Sequence, residues 1–169
     1  MSSPIKLQPF PGLIVSCWFP YDLDISRLGP DLRPVLVVEV RKSGKVVCVY
    51  GSAAKSKGTT AENLLQPYQI QVPATNVSGL KEPTRFNFLK SVPLEWTDKW
   101  FCPFGGNPTV RMGVLDANEK STAKVAKQYA ADLIASDPTK EWGVRPSPVI
   151  IVKQRRAKPP QDTQGPSGE

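Results

Sequence analysis

The sequence contains no histidine. Histidine is the side chain that most readily gains and loses a proton near neutral pH, the usual base beside serine and cysteine nucleophiles, and the commonest metal ligand. Its absence excludes Ser-His and Cys-His catalytic pairs and histidine-based metal centres. Any catalysis must therefore use carboxylates, Arg, Lys, Tyr, Ser, Thr or backbone groups.

Cysteine is also scarce. The three cysteines are Cys17, Cys48 and Cys102, and no two of them have the spacing of a metal site. Cys17 and Cys48 lie inside apolar runs, so we interpret them as small buried hydrophobic residues in a reducing compartment. No apolar run has the length of a signal peptide or a membrane span. These features predict a cytoplasmic protein with no membrane contact and no metal or other cofactor.

The charge that is present favours polyanions as partners. The 169 residues include 22 Lys and Arg against 15 Asp and Glu, a net charge of +7. A basic surface favours nucleic acid, although a charge of this size also serves simply to keep a protein soluble. The length fits one domain of ordinary size with an appended helix and a tail.

Short apolar runs separated by most of the 18 prolines and 12 glycines indicate a mainly β protein built as a small barrel or sandwich. The link Ser43-Gly44 predicts an antiparallel hairpin, and Pro93 predicts an edge position or a bulge. Six strands are predicted, and they span Leu13–Phe19, Val35–Val40, Lys45–Tyr50, Tyr68–Val72, Arg85–Trp96 and part of Thr109–Leu115.

One helix is predicted at residues 117–136. Asp116 is the expected N-cap, Glu119 completes a capping box, and Asp137-Pro138 marks the end. The helix is expected to dock through an apolar stripe with alanines beside it. That stripe consists of Val125, Tyr129 and Leu133, with Ala126 and Ala130 next to them.

These elements predict one barrel domain with extensions. Residues 1–10 are read as an N-terminal arm, 11–115 as the barrel, and 116–152 as a helix and an edge segment packed on it. Residues 153–169 begin with a basic cluster and continue as polar chain rich in Pro, Gln and Gly. This composition predicts a disordered tail.

Residues 11–52 contain PG-x-IV-x-x-x-FP in the first strand, a polar loop, the motif R-P-x-L-V-V, and a third strand that ends in a small hydroxyl residue. In this order the motifs resemble the PemK/MazF family of toxin endoribonucleases, and PTRFNFLKSVPLEW resembles a later block of that family. The resemblance covers roughly residues 10–100. It implies an SH3-like barrel, a homodimer and an antitoxin partner.

The resemblance also implies cleavage of single-stranded RNA without metal. The ribose 2′-hydroxyl attacks the adjacent phosphate and leaves a 2′,3′-cyclic phosphate. Such a reaction needs a proton acceptor, a donor to the leaving oxygen and positive charge around the phosphorane. None of these roles requires histidine.

Three residues match catalytic positions of that family: Arg33, Ser52 and Arg85. Arg33 is a planar, permanently charged donor, so it suits stabilising the phosphorane or donating a proton rather than accepting one. Ser52 implies a hydroxyl on the scissile phosphate, and Arg85 implies a second catalytic or binding arginine. Without the resemblance, Arg33 is explained equally well by an ion pair with Asp31, and Gly51-Ser52 by an ordinary turn.

Position 87 departs from the family pattern, because Asn87 stands where several members carry an acid. An amide can hold substrate but cannot accept the 2′ proton. The acceptor is left open among Asp22, Asp24 and Asp31. RNA-binding residues are predicted at Asn87 and in the polar loops, where they are Lys55, Lys57, Arg27 and Tyr21.

Two functions are therefore compatible with the sequence. The first is a toxin-type, metal-independent endoribonuclease. The second is a PemK-like barrel that has weak or no cleavage activity and binds RNA or a protein. Asn87 and the residues that follow the family-like region motivate the second alternative.

Overall fold

The structure is a computed structural model that describes residues 2–54 and 64–142. In chain order it contains β1 (Leu13–Cys17), a 3₁₀ turn (Tyr21–Leu23), β2 (Arg33–Val40), β3 (Lys45–Ala53), β4 (Gln69–Val72), β5 (Thr84–Glu95), β6 (Arg111–Val114) and α1 (Ala117–Ser136). The prediction of a mainly β fold with a C-terminal helix is confirmed. The predicted edge strand and tail after residue 142, and the loop at 55–63, lie outside the described residues.

The six strands form one antiparallel sheet in the order β4-β5-β3-β2-β1-β6, an open half-barrel. The predicted β2–β3 hairpin is present, and Gly44 takes a φ of +91° at its turn. Glycine reaches this left-handed region without the steric penalty of a side chain. The central strands are apolar on both faces, as their sequences predict, because both faces are covered.

One face of the sheet packs against the aromatic segment that follows β5. Val15, Val35, Val37 and Val46 are buried there against other side chains that include Trp100 and Phe101. Cys17 and Cys48 belong to the same cluster and are free thiols, as interpreted from the sequence. Burial raises the pKa of both thiols, so they stay protonated at neutral pH.

The other face packs against α1. Ile14, Leu36, Val49 and Phe86 lie in a second buried cluster with the alanines of the helix. Among the described residues, no helix has the length and apolar character of a membrane span.

The register shifts at three places in the sheet. Between β1 and β6, Ile14 pairs with Gly113 and Val15 with Arg111, so Met112 is an extra residue in β6. Val37 pairs with Cys48 and Glu39 with Val47, so Val38 is an extra residue in β2. Val49 and Tyr50, which are consecutive in β3, pair with Ser91 and Asn87 of β5. The three intervening residues of β5, 88–90, therefore bulge out of the β3–β5 ladder. Pro93 lies beyond the stretch of β5 that pairs with β4, so its predicted edge position is confirmed, while the bulge lies before it.

The predicted bounds and capping box of α1 are confirmed. The Glu119 N–H donates to Asp116 Oδ1 at 2.7 Å, and the Asp116 N–H donates to Glu119 Oε1 at 2.8 Å. Its predicted docking stripe is confirmed only in part, because Leu133 and the neighbouring Ala126 and Ala130 pack against the core but the other two residues do not. Val125 is 69% exposed and Tyr129 is 43% exposed.

The fully buried residues of α1 are Ala123 and the two alanines predicted beside the stripe, Ala126 and Ala130. Small side chains let the helix axis approach the sheet closely, and the helix contacts β4 and β5 through the face that carries them. Close backbone approach also occurs at Gly79, which has a φ of +66° and whose absent Cβ would lie 1.7 Å from the Met112 carbonyl oxygen. The structure therefore requires glycine at this position.

Candidate active site

The three predicted catalytic residues lie in one row at the end of the sheet. Val35 pairs with Tyr50, and extending this register by two residues brings Arg33 opposite Ser52. Ser52 pairs in turn with Arg85 of β5. Paired residues of an antiparallel ladder project from the same face, so all three are on one side of the sheet.

A cavity of about 340 Å³ opens at this end of the sheet. Arg33 and Ser52 both line it, so the two residues that the resemblance singled out lie at one cavity. Arg85 is next to them in the row but is not among the lining residues; its Nε donates to Gln71 Oε1 at 3.0 Å. The opposite wall comes from the segment between β4 and β5 and from the loop before β6.

Arg33 is held at the cavity by two neighbours. Its Nη2 lies 3.5 Å from Asp31 Oδ2, which is the ion pair that the sequence alone offered as an explanation. Its guanidinium carbon also lies 5.3 Å from the centroid of the Tyr50 ring. Lys90 Nζ is 4.9 Å from the same ring. Tyr50 therefore carries two cations beside the row of catalytic candidates.

The carboxylates separate into two groups. Of the three predicted acids, only Asp31 lines the cavity. Asp24 instead accepts hydrogen bonds from the Ser26 N–H at 2.9 Å and from Ser26 Oγ at 2.6 Å. These bonds, with a smaller effect of the nearby Arg27 charge, lower the pKa of Asp24. Asp22, in the 3₁₀ turn, is not among the lining residues.

Glu82 is a second acid at the cavity, and the sequence analysis missed it. It stands in the connection between β4 and β5, where no motif or periodicity distinguishes it from other loop acids. Among the described residues, no cation lies within ion-pairing distance of its carboxylate. Asp31, in contrast, is already engaged by Arg33.

A cation and an aromatic ring complete the cavity wall. Lys81 Nζ lies 4.7 Å from the centroid of the Phe104 ring, and both residues line the cavity. Such a pair can contact a phosphate and stack a base. The sequence analysis missed both residues because the two loops that carry them meet only in the folded chain.

Of the remaining predicted RNA-binding residues, the structure describes the side chains of Asn87 and Arg27, and neither lines the cavity. The Oδ1 of Asn87 accepts the Leu89 N–H at 3.0 Å inside the β5 bulge, and Asn87 does not line the cavity. Arg27 is exposed in the loop between β1 and β2, with its N–H donating to the Asp24 carbonyl at 3.0 Å. Lys55 and Lys57 lie outside the described residues, as does the side chain of Tyr21.

In the described part of the chain, no group of three or more cysteines and acids is arranged to hold a metal ion. Among the described residues, Arg33 and Lys81 bring positive charge to the cavity wall, and Lys90 lies outside the wall over the Tyr50 ring. The arrangement provides permanent cations, a hydroxyl and two carboxylates around one opening. These are the groups that phosphodiester transesterification needs.

No family model matches the chain, and no curated protein matches it either. A solved structure described as an endoribonuclease in complex with its cognate antitoxin from Mycobacterial species is similar, with a TM-score of 0.49 and 17% sequence identity. The match covers 75% of this chain and 97% of that chain.

Proposed function

We propose that the protein is a toxin-type endoribonuclease that cleaves single-stranded RNA at the cavity beside β2 and β3. The observation that carries the proposal is the presence of Arg33 and Ser52 at one cavity. The resemblance implies phosphate chemistry for both residues, and their position at one cavity supports that role. A fold alone supports many functions, so the proposal rests on this juxtaposition and not on the fold.

The proposed reaction forms a bond between the ribose 2′-oxygen and phosphorus and breaks the bond from phosphorus to the 5′-oxygen. Glu82 accepts the 2′ proton, because it is the cavity acid without an ion-pair partner among the described residues. Asp31 holds the Arg33 guanidinium in place. Arg33 then stabilises the phosphorane oxygens or protonates the leaving 5′-oxygen, and Ser52 donates a hydrogen bond to a non-bridging oxygen.

Substrate binding is assigned to the rest of the cavity. Lys81 contacts the phosphate that neighbours the scissile one, and Phe104 stacks an adjacent base. A stacked base must be unpaired, which explains a preference for single-stranded RNA. Because Arg33 and Lys81 already supply the positive charge, the proposed reaction proceeds without a metal ion.

Cleavage of unstructured RNA in the presence of EDTA tests this proposal. The full chain should produce fragments that end in a 2′,3′-cyclic phosphate and begin with a 5′-hydroxyl, as judged by end-group analysis and mass spectrometry. Arg33→Ala should abolish the products. A random-sequence RNA library that remains uncut at high enzyme concentration would show that the proposal is wrong.

Asn87 favours a second candidate function, an RNA-binding or protein-binding module without turnover. Its side chain is an amide, which cannot accept the 2′ proton, and its Oδ1 accepts the Leu89 N–H at 3.0 Å. Under this alternative, gel-shift assays would show binding of RNA that is recovered intact. Metal-independent cleavage by wild type but not by Arg33→Ala would exclude it.

The resemblance also motivates two proposals about the setting of the protein, an antitoxin partner and a homodimer. A third proposal, a cytoplasmic location, rests on the free buried cysteines, which are typical of a reducing compartment. Light scattering of the purified chain measures the oligomeric state. Growth arrest on expression, relieved by a co-expressed neighbouring gene product, would identify the antitoxin. Fractionation of producing cells tests the location.

A further inference from the structure

A second concave site lies beside α1, against β2 and β5. It encloses about 210 Å³ and shares no lining residue with the candidate active site. Its floor is apolar and includes Val38, Phe88 and Leu115. Its rim is formed by three lysines of α1: Lys120, Lys124 and Lys127. We call this site the lysine groove.

Two of the three register shifts of the sheet contribute residues to the lysine groove. Val38 is the extra residue of the β2 bulge, and Phe88 belongs to the stretch of β5 that leaves the ladder. A bulge bends its strand and redirects a side chain. The floor therefore departs from a regular sheet at the place where α1 passes over it, and Ala123 on the helix side adds little volume to fill the space.

The rim lysines have no acidic partners in the described part of the chain, where the ion pairs are Arg33–Asp31 and Arg41–Glu39. The acids of α1 are engaged elsewhere: Glu119 accepts the Asp116 N–H, and Asp132 accepts from Gln128 Nε2 at 2.9 Å. Lys120 and Lys124 are four positions apart, and Lys127 follows at three. Like charges at these spacings destabilise a helix, so an anion at the rim would relieve a repulsion already present.

We propose that the lysine groove binds an acidic segment of a partner protein that places a large apolar side chain on the floor. The rim supplies charge complementarity to carboxylates, and the floor supplies a dry surface for a leucine or phenylalanine. RNA fits less well. The one aromatic floor residue, Phe88, is only 4% exposed, so it offers no face on which a base can stack.

Fluorescence anisotropy with synthetic peptides tests this proposal on the full chain. The probe is a short fluorescein-labelled peptide in which Glu and Leu alternate. It should bind more tightly than the same peptide with Ser in place of Leu or Lys in place of Glu. Its affinity should fall with added salt, because exposed charges carry part of the binding.

A double charge reversal locates the site. Lys124→Glu with Lys127→Glu should weaken binding of the Glu-Leu peptide by about tenfold or more. Lys6→Glu with Lys99→Glu makes the same change in net charge at exposed lysines outside the groove and should leave the affinity within about twofold. Thermal melts monitored by circular dichroism identify a folding defect, and in that case Lys124→Ala with Lys127→Ala replaces the first pair.

Three results would overturn the proposal. They are failure of the Glu-Leu peptide to bind, equal weakening by both double variants, and groove-dependent binding of labelled oligouridine instead of the peptide. The RNA cleavage assay is independent of all three. Loss of one proposal therefore leaves the other standing.

Discussion

Arg33→Ala should have a small effect on stability. The ion pair with Asp31 spans 3.5 Å between side chains that are 33% and 67% exposed, so solvent screening limits its contribution to about 1 kcal/mol or less. The contact with the Tyr50 ring, at 5.3 Å to the centroid, adds about 0.5–1 kcal/mol. The summed loss of about 0.5–2 kcal/mol lowers the melting temperature by only several degrees.

The effect on cleavage should be much larger. A positioned donor that meets charge developing in a transition state is worth about 10²–10³ in rate, or roughly 3–4 kcal/mol. Cleavage rates measured well below the melting temperature of both proteins therefore isolate catalysis from unfolding. Arg41→Ala is the matched control, since Arg41 lies 3.9 Å from Glu39 in another exposed ion pair that does not line the cavity.

RNA with sulfur in place of the scissile 5′-oxygen separates the two roles proposed for Arg33. Sulfur leaves without being protonated, so a variant that lacks only the proton donor should recover most of its rate on this substrate. A variant that lacks phosphorane stabilisation should remain slow. An Arg33→Ala rate within about threefold of wild type, or an equal loss for Arg41→Ala, would refute the assignment of Arg33.

Three further measurements follow from the structure. Glu82→Gln should slow RNA cleavage by about 10²–10⁴-fold with an unchanged melting temperature. Glu95→Gln, outside the cavity, should cleave RNA at the wild-type rate. Equal cleavage rates for the two variants would exclude Glu82 as the proton acceptor. Gly79→Ala should lower the free energy of unfolding, measured in urea, by more than about 2 kcal/mol, because its Cβ would lie 1.7 Å from a carbonyl oxygen of β6. Gly44→Ala, whose Cβ would meet no atom within 4 Å, should lower it by only about 1 kcal/mol. A thiol reagent should modify Cys102 alone in the native protein, because Cys17 and Cys48 are buried and burial raises the pKa of their thiols. Rapid reaction of all three cysteines would show that Cys17 and Cys48 are not buried.

Local signals in the sequence predicted local structure well. The capping box at Asp116 and Glu119 defines the start of α1 through hydrogen bonds that span three residues, so it can be read without knowledge of the fold. The face that α1 buries depends on what it packs against. Apolar periodicity favoured Val125 and Tyr129, but close contact with the sheet required alanines, and that distance is a tertiary property.

The same distinction holds at the candidate active site. Arg33 and Ser52 could be predicted because each lies at the end of a strand with a motif, and the antiparallel register then brings them together. Glu82 could not, since a loop acid carries no sequence signal of the cavity that it will face. Pairing of β3 with β5 brings its segment to the opposite wall.

Asn87 stands where several members of the resembling family carry an acid, and Glu82 offers another carboxylate that can accept the 2′ proton. The Asn87 side chain accepts the Leu89 N–H inside the β5 bulge, so this residue has a structural role. A proton acceptor needs only to reach the substrate in the correct protonation state, and it can come from any segment that borders the cavity. Glu82 meets the positional requirement from a loop that precedes the same strand. An amide at position 87 is therefore compatible with catalysis when Glu82 accepts the 2′ proton, and Asn87 favours an inactive barrel only if Glu82 does not take that role.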